Sequence, residues 1–240
     1  MSLPTDIRVP LLLSLNAGYV DAAGFLALQG LFTAHVTGNF VTLGASIALG
    51  TSGAVAKVLA LPVFCVAVIA TRLVGSLLSS RGRAALETLL AIKVLLLVAG
   101  AALAIRLGPF HDGDSWQAIS TGMVLVAAMA IQNAVHRIHL ASVPPSTLMT
   151  GTTTQIMIDL ADLIYADPAM QAHAGSKLGL MSVNVLVFAL GCGAAALLFL
   201  KFGLWCFVWP PLLGALVLFL RLTGGNAASG GQSKVSTLPK

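Results

Sequence analysis

Asn16-Ala17-Gly18-Tyr19-Val20-Asp21-Ala22-Ala23-Gly24-Phe25, followed by His35-Val36-Thr37-Gly38-Asn39, has a near echo about a hundred residues later. There Gln132-Asn133-Ala134 is followed by Leu148-Met149-Thr150-Gly151-Thr152. Each copy sets an Asn-Ala pair inside an apolar span and then opens a short helical stretch with Thr-Gly. Those stretches, about Asn39 to Leu49 and about Thr152 to Tyr165, reach about 15 to 20 Å at helical rise, roughly half of a hydrocarbon core. They read as half-helices. A polar interruption repeated at matching places in two halves of a membrane protein points to a binding site or pore near the midplane.

The rest of the chain fits that reading. Hydrophobic residues make up 58% of it and charged residues only 9%, and the mean hydropathy is +0.95. So apolar a chain is expected to be a polytopic membrane protein of the all-α class. Residues 1 to 10 hold Asp6 and Arg8 and lack the pattern of a cleaved signal, so the first span is expected to remain. The formal charge of +5 is spread over short loops and the tail rather than gathered on one face, which speaks for topology control and against a nucleic-acid partner. Cys65, Cys192 and Cys206 lie in apolar runs without a Cys-x-x-Cys pair and read as small core residues, not as a disulfide or zinc site.

Apolar runs long enough to span are Val9 to Gly30, Val55 to Leu78, Ala84 to Ala104, Trp116 to Ala134, Leu178 to Leu200 and Phe202 to Leu222. The expected fold is therefore six transmembrane helices plus two re-entrant half-helices. They form one transmembrane domain over 1–222, with repeat one at about 9–106 and repeat two at about 115–222. Residues 223–240, rich in Gly, Ser and Asn, read as a disordered cytoplasmic tail. With both termini inside, Arg8, Arg81, Arg83, Arg137, Lys177, Arg221, Lys234 and Lys240 face the cytoplasm. Lys57, Arg106 and Lys201 face outward, and Arg72 and Lys93 lie in the membrane. If both short pieces crossed instead, Arg81, Arg83, Arg137 and Lys201 would fall outside, a weaker fit to the positive-inside bias. Three spans per half give the halves opposite orientations, an inverted repeat.

The residues expected to bind solute follow from this arrangement. Thr37, Gly38 and Asn39 and their counterparts Thr150, Gly151 and Thr152 open the half-helices, where free N–H groups and the positive helix end welcome a small anion or polar solute. Asn16 and Asn133 carry the paired amides. Thr152, Gln155, Asp159 and Asp162 form a polar stripe on the second half-helix, suited to an aqueous vestibule. Asp21, Arg72 and Lys93 are intramembrane charges. Each costs about 2.5 to 3.5 kcal/mol if left alone at the bilayer centre, so Asp21 is expected to pair with Lys93 or Arg72, an arrangement that could also relay protons. Glu87 reads as interfacial. His136-x-x-His139 lacks the further ligands of a metal site, and no metal or other cofactor is expected. Without Gly-x-Ser-x-Gly, His-Glu-x-x-His or Walker patterns, no catalytic residue is assigned and enzyme activity is not expected. The small residues Gly191, Gly193 and Ala194 to Ala196 suit tight helix packing within the chain or in a homodimer.

The paired segments, from Asn16 to Phe25 with His35 to Asn39 and from Gln132 to Ala134 with Thr150 to Thr152, resemble the YoaK family of bacterial membrane proteins over nearly the whole chain apart from the tail. That resemblance implies a multi-pass protein of the bacterial inner membrane and supplies no substrate or site residues. Six spans with two half-helices are also similar in outline to aquaporins and formate-type channels, although the Asn-Pro-Ala signature of the former is missing. The leading functional expectation is a secondary transporter or channel for a small polar or anionic solute, seated where the two half-helix N-termini meet. A non-transporting membrane scaffold and an intramembrane enzyme using Asp21 or Asp159 are the competing classes.

Overall fold

A computed structural model of the chain describes residues 7–147, 149–165 and 168–232, and the regular elements among them are all helical. They are α1 (Arg8–Ala27), α2 (Asn39–Leu49), α3 (Ala54–Ser80), α4 (Ala85–Leu107), α5 (Trp116–His139), α6 (Met149–Tyr165), α7 (Pro168–Phe202) and α8 (Trp209–Gln232). Short 3₁₀ turns precede α2 at Val36–Gly38 and α8 at Gly203–Val208. Among the described residues five stretches are long and apolar enough to cross a membrane, where the sequence suggested six. Residues Leu178–Thr223 run on through the 3₁₀ turn as one 46-residue apolar stretch. Helix α8 reaches Gln232, so the expected tail is helical up to that point, and positions 233–240 lie outside the described residues.

Helices α1 and α5, which carry the two Asn-Ala pairs, are the most enclosed. Within each apolar window 67% of residues are buried, against 22% for α3. Around them pack α7, α8, α3 and α4. The tightest crossing is α1 on α7. A Cβ at Gly18 would run into the Phe188 carbonyl oxygen, and one at Gly191 into that of Leu15. Only glycine on both helices lets the backbones come this close. Part of the small-residue patch is thus used inside the chain, while Gly193 looks onto open space.

Contacts along the helices fix their directions. Gly18 meets Phe188 and Ser14 bonds Asn184, so α1 and α7 run parallel. The chain turns back at Gly203, whose φ of +56° lies in the left-handed region that favours glycine. Helix α8 then descends antiparallel to α4: Leu204 sits by Gly108, Gly214 by Val94 and Leu97, and Arg221 lies 3.8 Å from Glu87. At the end of the bundle holding Gly108, the Asp114 carboxylate accepts the N–H groups of Gly53, Ala54, Val55 and Ala56, the open first turn of α3. Lys57 closes the same end by donating to the Gln29 carbonyl at 2.9 Å and to Ser46 Oγ at 2.7 Å.

Two loops fold back into the bundle, one from each end. After α1 the chain leaves through left-handed Gln29 and Gly30 and returns along α1 as far as Asn39. There Asn39 clasps the backbone of Phe32 from both sides, accepting its N–H at 2.9 Å and donating to its carbonyl at 2.8 Å. After α5 the chain returns along that helix. Ser146 bonds Gln132, Thr147 bonds Asn133, and the Pro145 carbonyl accepts from Asn184 of α7. Helices α2 and α6 start from these returned loops.

Candidate functional site

Beside α5, under both returned loops, lies a cavity of about 460 Å³. Helix α3 contributes Leu61, Phe64, Val68 and Arg72, whose spacing of three and four residues places them on one face. Helix α5 contributes Asn133, Ala134, Arg137 and Ile138, again one face. The first loop supplies Ala34 to Thr37 as a floor, and the second supplies Thr147. A second cavity of about 300 Å³ shares Arg72 and Ile138 with the first. It continues past Gly75 and Ser79 toward the end of the bundle where α3 stops. Arg72 therefore stands at the junction of the two spaces. Among the described residues neither Arg72 nor Arg137 has a carboxylate within ion-pair distance.

The intramembrane charges do not meet as the sequence suggested. Asp21, 5% exposed, takes neither Lys93 nor Arg72 as a partner. Its Oδ1 accepts the backbone N–H groups of Thr33 at 2.8 Å, Ala34 at 2.7 Å and His35 at 3.3 Å. The returned loop thus supplies the compensation expected from a cation, and three N–H groups near the start of α2 are already occupied by the protein's own carboxylate. Lys93, 1% exposed, donates to Gln132 Oε1 at 2.5 Å. The Gln132 amide in turn donates to the Leu13 carbonyl and to Ser146 Oγ, each at 2.9 Å. This chain of bonds ties the second loop to α1, α4 and α5.

Of the other expected site residues, Thr37 and Asn133 line the cavity. Asn133 also accepts from Thr147 Oγ1 at 2.5 Å. Gly38 sits just behind the floor, between the Phe32 and His35 rings, and Asn39 is buried in its clasp. Asn16 is fully buried near Gly214, and its amide N and O have no hydrogen-bond partner among the described residues. Thr150 and Gly151 are exposed, with nothing within 4 Å of a Cβ built at Gly151, and neither lines the cavity. Thr152 and Asp159 are buried together with Ile156, while Gln155 is exposed and donates to Asp159 Oδ1 at 2.7 Å. The structure thus joins Thr37, Asn133 and Arg72 and leaves the Thr150-Gly151-Thr152 element apart from them. Of the histidine pair, His136 Nε2 bonds the Val143 carbonyl at 3.1 Å and His139 lines the second cavity.

Sequence reasoning missed His35, Arg137 and Thr147. Arg137 lies four residues after Asn133 and so on the same helical face, a spacing that could have revealed it. His35 and Thr147 had no such signal, because their place depends on how far each loop returns.

The match of this chain to known proteins covers residues 9–220. It belongs to the DUF1275 family, described as proteins of unknown function. A relative, the UPF0700 transmembrane protein YoaK of Bacillus subtilis (strain 168), is 26% identical over 226 residues, which cover 91% of this chain and 94% of that protein. No solved structure matches this DUF1275 chain. The apolar helices and the transmembrane relative together make it a multi-pass membrane protein.

Proposed function

We propose that this DUF1275 protein is a secondary transporter or channel for a small polar or anionic solute, and that the cavity beneath the two returned loops is its site. One observation carries the reading: loops entering from opposite ends of the bundle reach the same space, through Thr37 and Thr147. Irregular backbone at membrane depth is tolerated where it is packed in protein or lines a wet cavity, and paired broken elements are a recurrent way to build a transport site. On this reading α7 and α8 cross separately, giving six spans. The halves α1–α4 and α5–α8 form an inverted repeat, with α2 and α6 as its re-entrant pieces.

Orientation follows from charge. Arg8, Arg81, Arg83, Arg137 and Arg221 gather at one end of the helices and Lys57, Arg106 and Lys201 at the other. The positive-inside bias puts the arginine-rich end in the cytoplasm of a bacterial inner membrane, so the second cavity opens inward. The test is flux across proteoliposomes containing the purified protein, read by solid-supported-membrane currents with chloride, nitrate, phosphate and short carboxylates. At least one anion should move, and Arg72→Gln should abolish the current while the variant still inserts and purifies as a monodisperse species. Silence toward the whole panel would favour the scaffold reading, in which buried bonds such as Lys93 to Gln132 only lock helices together.

A further inference from the structure

We infer that the solute held in this cavity is a monocarboxylate with a hydrocarbon body, its carboxylate between Arg72 and Arg137 and its body against Leu61, Phe64 and Val68; the inference rests on the transport reading and narrows its substrate. Size is the first ground. About 460 Å³ is far more than a bare inorganic anion needs and falls in the range of cavities that enclose small organic ligands, roughly 300 to 1,000 Å³.

The distribution of polarity is the second ground. Leu61 to Arg72 along α3 covers about 16 Å at 1.5 Å per residue, and the polar character changes along that length. Arg72 stands at the end shared with the second cavity, with Arg137 next to the shared Ile138, whereas Val68, Phe64 and Leu61 lie successively deeper. A guanidinium presents a planar fork of donors that matches a carboxylate. Both guanidiniums lack an acidic partner among the described residues.

The third ground is Asp21. Its carboxylate lies behind the floor, bonded to the N–H groups of Ala34 and His35, both of which line the cavity. With those N–H groups already taken by Asp21 Oδ1, the floor keeps few donors for an anionic head, and the head turns toward the arginines. One negative charge suits this site better than two, because the cost of taking charge from water into apolar walls rises with the charge.

An anionic lipid offers the same chemistry, an oxyanion on an apolar body, so the experiment separates the two sources. The full-length protein in phosphatidylcholine nanodiscs is titrated calorimetrically with the sodium salts of acetate, butyrate, hexanoate and octanoate, and with chloride, nitrate and phosphate. Binding should tighten about fourfold per methylene. Arg72→Gln and, separately, Arg137→Gln should weaken it about tenfold or more, since each loses a charge-assisted bond. Arg72→Lys should fall between. Partition of the longer acids into lipid is common to all variants and cancels in the comparison with Arg72→Gln. Should Arg72→Gln fail to fold, Phe64→Ala gives an independent readout: the gain per methylene should shrink while acetate binding is kept.

Binding of chloride, nitrate or phosphate without any carboxylate overturns the inference and leaves transport standing. Equal carboxylate affinity in wild type and both glutamine variants overturns it too. So does native mass spectrometry showing phosphatidylglycerol retained by wild type, lost from Arg72→Gln, with no carboxylate binding. Arginine-dependent carboxylate binding with no flux in proteoliposomes supports the inference and refutes the transport reading instead.

Discussion

Replacing Asp21 separates a structural from a solute-binding role for the most enclosed carboxylate among the described residues. In Asp21→Ala the N–H groups of Thr33 and Ala34, at 2.8 and 2.7 Å, lose their acceptor, and that of His35, at 3.3 Å, loses a weaker one. Two well-made bonds to a charged group, each leaving a buried donor unsatisfied at about 1–3 kcal/mol, amount to about 2–6 kcal/mol. Removing a buried charge gives back part of its desolvation cost, so the net loss should be about 2–4 kcal/mol. At about 2–4 °C per kcal/mol for a chain of this size, the melting temperature should fall by roughly 5–15 °C. Asp21→Asn keeps an acceptor of the same shape and forfeits only the charge assistance, about 1–2 kcal/mol, so roughly a third to a half of that fall is expected. The assay is a fluorescence-detected melt of the purified protein, paired with the maleimide labelling rate of a cysteine placed at Thr37, which reports the order of the loop. If Asp21→Ala melts within about 1 °C of wild type and the labelling rate is unchanged, the loop does not depend on the carboxylate and the geometry has been misread.

Other positions give sharper yes-or-no outcomes. Asp114→Ala removes the acceptor for four N–H groups of α3 and should cost about 1–2 kcal/mol of stability, seen as a lower melting temperature with carboxylate binding intact. Gly18→Leu or Gly191→Leu should prevent accumulation of folded protein, whereas Gly193→Ala should purify as wild type, because only the first two abut backbone oxygens. Gly151→Leu should leave flux unchanged since that glycine faces open space outside the cavity; a block there would move the site back to the Thr150-Gly151-Thr152 element. Lys93→Met leaves the buried Gln132 Oε1 without its donor, at about 1–3 kcal/mol, and should lower the melting temperature by roughly 2–10 °C. An unchanged melting temperature would mean that the bond does not hold the second loop. A cysteine at position 82 should react with impermeant maleimide only after the cells are opened.

The outline of the fold was legible because its signals are local. Apolar length marks a span, Gly108-Pro109 stops α4, and Thr-Gly after a polar break marks where a short helix begins. The separation of α7 from α8 was readable as two runs, yet the join through Gly203 keeps the stretch apolar throughout, so length and composition alone merge them. What stayed hidden depends on distance between segments. Asp21 in sequence calls for a cation, since nothing near it announces that a loop twelve residues on will return and offer its N–H groups. Lys93 calls for an acid and receives a glutamine oxygen. Thr150 and Gly151 copy Thr37 and Gly38 in sequence, but the second loop touches the cavity three residues earlier, at Thr147.

That mismatch bears on how the proposed site would work. A duplicated pattern invites the expectation of two equal half-sites, yet the two loops are fastened by unlike groups. The first is held by Asp21 Oδ1, which consumes its N–H groups, and the second through Ser146 to the Gln132 amide, to which Lys93 donates in turn. Two positive helix starts facing one another would favour an anion at the centre with no preferred end. With an acid behind the first loop and Arg72 and Arg137 on the far side of the cavity, the field is instead polarised along the slot. An anion is drawn to the arginine-bearing end and its uncharged part is left to the apolar walls. Asp21 is then a positioning residue for orientation as well as a fastener of the loop. Asp21→Asn, which keeps most of the loop's bonds, should therefore loosen the head-to-tail preference of a bound carboxylate before it unfolds the site. That loosening would be visible as a smaller difference in affinity between butyrate and its dicarboxylate analogue succinate, and an unchanged difference would mean that the arginines alone set the orientation.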